Sequence, residues 1–173
     1  MARTSIQNVL DMPDVAQAWN FDLFLPTIPG SPLSGQNLMY RCKSSEIPGF
    51  AIEPVKIELH GVAKQEAGRA TYSHTFNSAF IVPVDFTTIL AFRAWRAKMR
   101  DWKNNTGSNS QVYKINAELD LYNNAGDIGQ TFIIAGAFPT DITAVQLDGS
   151  QAGAPMELTV AWSFDYVNDG VYW

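Results

Sequence analysis

Hydrophobic and polar residues alternate along most of this chain, and one stretch interrupts the alternation with a helical period. Met156, Leu158, Val160, Trp162, Phe164 and Tyr166 fall on one parity, with Glu157, Thr159, Ala161, Ser163 and Asp165 on the other. A period of two is what a strand with one buried face requires. Tyr113, Ile115, Ala117, Leu119 and Leu121 alternate in the same way with Lys114, Asn116, Glu118, Asp120 and Tyr122. Val55, Ile57 and Leu59 alternate with Lys56, Glu58 and His60, and Pro54 marks the start of that strand or an edge position. Tyr72, His74, Phe76, Ser78 and Phe80 alternate with Thr71, Ser73, Thr75 and Asn77, predicting one strand over 70–80. These two strands read as a long hairpin. Its tip is a loop bounded by glycines: Gly61, Val62, Ala63, Lys64, Gln65, Glu66, Ala67 and Gly68. Further strands are expected over 18–25, 38–44 and 128–137, with breaks at 26–32, 47–49, 123–127 and 138–141 where Pro, Gly and Asn cluster.

The helical period belongs to Phe86, Ile89, Phe92, Trp95, Met99 and Trp102, spaced by three or four. These residues form the expected packing stripe of one helix over about 85–103, with Asp85 as its N-cap two residues after Pro83. Arg93, Arg96, Lys98 and Arg100 lie off the stripe, and the basic second half suits the negative end of the helix dipole. No internal repeat is visible. Strands, one helix, then strands again predict a mainly β fold. The expected architecture is a two-sheet β-sandwich or partly closed barrel with one flanking helix. Residues 18–173 read as a single domain preceded by an N-terminal arm, 1–17.

Composition adds a constraint on the surface. Of 173 residues, 46% are hydrophobic and only 17% charged. So low a charge fraction implies that some neutral surface is covered by other copies of the chain. The net charge of −5 gives no electrostatic reason to grip nucleic acid, whose binding depends on cations. Cys42 is the sole cysteine, so neither an internal disulfide nor a multi-cysteine metal site is available. Residues 1–14 lack the apolar core of a signal peptide, and no run reaches the ~20 apolar residues of a membrane helix. Assembly in the cytoplasm, away from membranes, is therefore expected.

The search for chemistry yields little. His60 and His74 on neighbouring predicted strands, with Glu58, form the best candidate metal cluster, and a metal-binding β-sandwich enzyme is its remote consequence. Two exposed strand histidines would look the same. Asn116, Glu118 and Asp120 share a strand face, which suits acid–base work or an ordinary solvated surface. Cys42 lies between Arg41 and Lys43, but in a strand those neighbours point to the opposite face. No phosphate loop or nucleophile turn occurs, and the tryptophans fit packing better than base stacking. The sequence thus points away from catalysis and implies no cofactor.

The order of several segments resembles the tail tube protein family of contractile-tailed phages. Trp19-Asn-Phe-Asp-Leu-Phe-Leu is followed by Tyr40-Arg-Cys-Lys-Ser-Ser-Glu-Ile-Pro48-Gly49, Lys56-Ile-Glu-Leu and Glu66-Ala-Gly-Arg-Ala-Thr-Tyr72. After the helix come Ile134-Ala-Gly-Ala-Phe138-Pro139-Thr140, Val145-Gln-Leu147-Asp148 and the terminal strand ending Phe164-Asp-Tyr166. The resemblance covers roughly 18–167. It implies subunits that form hexameric rings, stacked into a hollow virion tube that conducts DNA into the host without binding it. It also implies a sheath, a baseplate and a tape measure protein as partners. A baseplate tube-initiator, or the inner tube of a non-phage contractile injection system, is the alternative. Within this reading, 61–68 is the expected ring-to-ring loop, and Asn116, Glu118 and Asp120 the expected polar face toward the lumen.

Overall fold

A computed structural model describes residues 16–143, 145, 147 and 153–168. In chain order they form β1 (Phe21–Phe24), α1 (Gly35–Met39), β2 (Cys42–Ser45), β3 (Phe50–Leu59), β4 (Val62–Tyr72), β5 (Thr75–Ile81), α2 (Thr87–Met99), α3 (Ser110–Tyr113), β6 (Ile115–Tyr122), β7 (Ile128–Ile142), β8 (Glu157–Ser163) and β9 (Tyr166–Asn168). The fold is mainly β, as its alternating pattern predicts. All pairings are antiparallel, and the strand order is β1-β6-β7-β8-β5-β2, with β9 also on β7. The end strands β1 and β2 do not pair with each other, so the sheet is not closed into a barrel.

β7 is what makes two layers out of one strand order. Its first part pairs with β6 and β9, and its second part, from Phe138, pairs with β8. The turn between them falls at Gly136, which has φ +68. The two halves enclose one core. Leu23, Ala117, Leu119 and Ile134 come from one side, and Phe76, Phe80, Leu158, Val160 and Trp162 from the other. α2 adds Phe92 and Trp95, with the Trp95 ring edge-on to Trp162 at 5.5 Å and Phe92 tilted against Phe80 at 5.4 Å. Each such side chain contributes about 1.5–3 kcal/mol by leaving water. A buried indole also needs an acceptor for its N–H. Trp162 Nε1 donates to Ser78 Oγ at 2.6 Å, and Trp95 Nε1 donates to the Tyr113 carbonyl at 2.8 Å.

Several elements differ from the sequence reading. The strand expected over 38–44 is a short helix followed by β2. Ser34 caps that helix, its hydroxyl accepting from the Asn37 N–H. The strand expected over 70–80 is two strands, because His74 adopts φ 52 and ends the run. The break expected at 138–141 is continuous strand. Pro139 sits where the β7–β8 register shifts, a bulge at which no ladder N–H is required of it.

The main helix is shorter than 85–103. Its N-cap position belongs to Phe86, with φ 55, while Asp85 one residue earlier accepts from the Thr87 N–H at 3.1 Å and hydroxyl at 2.8 Å. Those bonds hold the Asp85 carboxyl below its ordinary pKa. Arg100 is extended, so the helix ends at Met99. Phe92 and Trp95 of the packing stripe are buried, and Ile89 and Met99 are partly buried against the core. Phe86 and Trp102 are not part of it. They flank the helix and are 49% and 76% exposed. The three-four spacing outran the helix at both ends.

Candidate assembly interface

β3 and β4 form a two-stranded sheet of their own. Of the segment expected to be a loop, 61–68, all but Gly61 is the first part of β4. Its apparent glycine brackets have separate local causes. The turn is only His60-Gly61, with φ 52 and 80, the two left-handed residues of a tight hairpin turn. Gly68 lies where the register gives β4 an extra residue between the pairs Ile52–Ala70 and Pro54–Ala67. A Cβ there would stand 2.5 Å from the Glu53 carbonyl oxygen and 2.8 Å from Val55 Cγ2, so only glycine fits the bulge.

Register places Val55, Ile57, Leu59 and Val62 on one face, joined by Lys64 and Glu66. Phe50, Ile52 and Pro54 share the other face with Lys56 and Glu58. Almost all of it is in contact with solvent. Phe50 is 67% exposed, Leu59 66% and Val62 70%. The half-buried β3 expected from alternation is therefore not buried within this chain. Lys64 pairs with Glu66 at 2.5 Å, and Lys56 with Glu58, so these four charges neutralise one another locally. An isolated two-stranded sheet is marginal in water, and an apolar one exposes what other proteins bury.

The outer face of β6 has a different chemistry. Asn116 and Glu118 point away from the core, and Asp120 is half-buried on the same side. Asp120 stands directly across from Asp22 of β1. Each carboxylate has a hydroxyl donor: Thr131 for Asp120 at 2.5 Å, and Tyr122 for Asp22 at 3.0 Å. That bond to Asp22, first, and partial desolvation, second, raise the Tyr122 phenol above its ordinary pKa. Asn116 accepts from the Gly136 N–H at 3.2 Å and so also braces the turn of β7. The open ends of the strand order, β1 and β2, flank a cleft of about 530 Å³ lined by Ala18, Phe21, Ile47, Leu119, Leu121 and Tyr122 among others.

The histidine cluster does not form. His60 sits at the hairpin turn and His74 beyond its base, at opposite ends of a ten-residue strand that spans roughly 33 Å. Among the described residues no group of three or more His, Cys, Asp or Glu side chains is placed to hold a metal ion. His74 Nδ1 lies 3.2 Å from the Phe164 carbonyl. Cys42 is partly buried in β2, where desolvation pushes its thiol up to about 12, the reverse of an activated nucleophile. No helix among the described residues is long and apolar enough to cross a membrane.

An exposed apolar hairpin and a polar, carboxylate-bearing strand face are the main surface features of this β protein. Comparison with known proteins makes this particular: the family profile for phage tail tube protein matches residues 20–168. The chain belongs to the phage tail tube protein family and is a structural tube subunit, not an enzyme. No curated protein matches it in sequence. Solved structures share its fold. A chain from the PVC sheath-tube complex of an extracellular contractile injection system, in the extended state, matches with TM-score 0.60 at 16% identity, covering 96% of this chain and 97% of its own. A chain from the sheath/tube terminator of that system gives 0.62 at 16% identity, with 90% and 96% covered. A chain from the anti-feeding prophage tube-terminating cap gives 0.61 at 15%, with 91% of each covered.

Proposed function

We propose that this subunit forms hexameric rings that stack into a hollow tail tube, through which DNA passes into the host during ejection. The observation that carries the reading is the β3–β4 hairpin, apolar, exposed and bonded within its own two-stranded sheet. It is the projection that reaches the next ring, and the segment 61–68 contributes the second strand of that contact. The edges of β1 and β2 that no described strand pairs supply lateral contacts, since an open strand edge pairs with another chain wherever one is offered.

The outer face of β6, with Asn116, Glu118 and Asp120, faces the lumen. Carboxylates on that wall repel phosphate, and a net charge of −5 keeps the conduit from holding its cargo. A sheath surrounds the tube, a baseplate receives it, and a tape measure protein occupies it before DNA does. Assembly takes place in the host cytoplasm and the product resides in the virion tail. Sheath-tube and cap complexes among the fold relatives support this arrangement.

Negative-stain microscopy of the purified protein tests the proposal. Six-fold rings or long tubes are expected. A protein that stays monomeric at high concentration, and is absent from tubes in virions, overturns it. Copy number per particle separates a tube subunit, present many times, from an initiator ring.

A further inference from the structure

We infer that Trp102 of one copy inserts into the cleft between β1 and β2 of a second copy. This rests on the tube reading above and names the side chain and the site that meet at one contact between copies. Trp102 follows α2 and is 76% exposed. The turn that carries it is braced on both sides. The Asp101 N–H donates to the Thr106 carbonyl at 3.0 Å, and the Ser108 N–H to the Met99 carbonyl at 3.1 Å. Arg100 Nε donates to Asn105 Oδ1 at 2.8 Å. The Asp101 carboxylate accepts from the Lys103 N–H at 2.9 Å and from Asn104 Nδ2 at 2.8 Å. These bonds fix the backbone beneath an indole that lies outside the core, with Lys103 Nζ 5.8 Å from its ring centre. A large aromatic held out on a pre-ordered turn gains a lone subunit nothing. It is the form an interface anchor takes, because the ordering cost is met before the partner arrives.

The cleft offers what such an anchor requires. It measures about 530 Å³, and Phe21, Ile47, Leu119 and Leu121 give it apolar walls. Ser45 Oγ, in the same wall, is buried and has no hydrogen-bond partner among the described residues. A buried hydroxyl without a partner destabilises the subunit, and an entering indole N–H is the donor it lacks. Glu46 also lines the cleft. It accepts from the Asn77 backbone and side-chain amides, but no described cation lies within ion-pair distance of it. Lys103, which has no carboxylate partner among the described residues, arrives beside Trp102 with the complementary charge.

Other occupants match less of this. Trp19, the other exposed indole among the described residues, lies between Ala18 and Asn20 in the cleft's own wall. Residues 1–15 join that wall at Ala16 but contain no aromatic ring. No residue of 99–113 lines the cleft of its own subunit, and the braced turn keeps Trp102 out of it. A knob and a hole on different surfaces make a head-to-tail contact, the kind that repeats around a ring or along a tube.

The test is a photo-crosslink. Full-length protein with benzoylphenylalanine in place of Trp102 is co-assembled with excess wild-type protein, irradiated and digested for mass spectrometry. A species of twice the subunit mass is expected, joined at residue 21, 45–47 or 119–122. Crosslinks to the hairpin or to residues 1–15, or none at all, overturn the inference. Trp102→Ala is expected to raise the protein concentration needed for tubes at least about tenfold, with the circular dichroism of the unassembled subunit unchanged. Lys103→Glu and Glu46→Lys are each expected to raise it about threefold, and the two together to restore the wild-type value. A double variant worse than either single one overturns the inference. Where Trp102→Ala fails to fold, the crosslink decides. Tubes that form from Trp102→Ala at the wild-type concentration leave the tube reading standing and remove this inference alone, whereas wild-type protein that forms neither rings nor tubes removes both.

Discussion

The carboxylate of Asp165 lies directly over Gly136, where a Cβ would stand 2.1 Å from Oδ2. Gly136 is the turning point of β7, and Asp165 is the connector between β8 and β9, its N–H donating to the Ala135 carbonyl at 2.9 Å. Lys114, just before β6, holds the same carboxylate at 2.7 and 2.8 Å. Three segments therefore meet where one residue has no side chain.

Gly136→Ala is expected to destabilise the subunit. Its φ of +68 alone costs an alanine about 1–2 kcal/mol, and the clash adds to that. Urea unfolding of the unassembled protein measures the loss. Adding Asp165→Ala relieves the clash but not the backbone, so the double variant recovers only part of it. Full recovery would show that the backbone conformation is without cost.

Ser78→Ala leaves the buried Trp162 indole N–H without its acceptor. The expected loss is about 1–3 kcal/mol, read from the same unfolding curves. Combining it with Trp162→Phe removes the orphaned donor, so the two changes should be less than additive.

Leu59→Ser with Val62→Ser separates folding from assembly. Both residues are exposed on the free hairpin, so the unassembled subunit is expected to keep its stability within about 0.5 kcal/mol. Tubes are expected to be lost in negative stain. Normal tubes would show that the hairpin is not the stacking element.

Cys42 gives a pH dependence with a definite sign. Its folded pKa of about 12 stands above the ordinary 9.0, so the unfolded chain ionises first as pH rises. Its contribution is flat below pH 9.0 and declines between 9.0 and about 12, by up to about 1.4 kcal/mol per unit. Comparing melting temperatures of wild type and Cys42→Ala from pH 8 to 11 isolates this from lysine and tyrosine titration. The thiol is also expected to resist alkylation at pH 8 in the folded protein.

The strands with one buried face were legible because core packing and the alternating pattern say the same thing. Leu158, Val160 and Trp162 are buried as their parity requires, and so are Ile115, Ala117 and Leu119. Local backbone choices were harder to read. His60 and His74 both take a left-handed conformation, which nothing in their neighbours announces. One makes a turn two residues long where a loop of eight was expected, and the other divides a strand. Gly68 and Pro139 read as breaks because both usually are, yet each occupies a bulge inside continuous strand. The hairpin surface was half legible. Alternation along 55–59 gave the correct apolar residues, but pattern alone cannot tell a face buried in the subunit from one reserved for another copy.

β7 runs fifteen residues and hydrogen-bonds to three other strands, so neither layer of the sandwich can open without it. Among the described strands, the ladder of β3 and β4 joins these two alone. Amide exchange would then fall into two classes, with the sandwich opening as one slow cooperative unit and the hairpin breathing independently and fast until a neighbouring ring clamps it. On the proposed stacking, the subunit arrives with a finished body and one unfinished limb, and growth of the tube is the step expected to give that limb its protection.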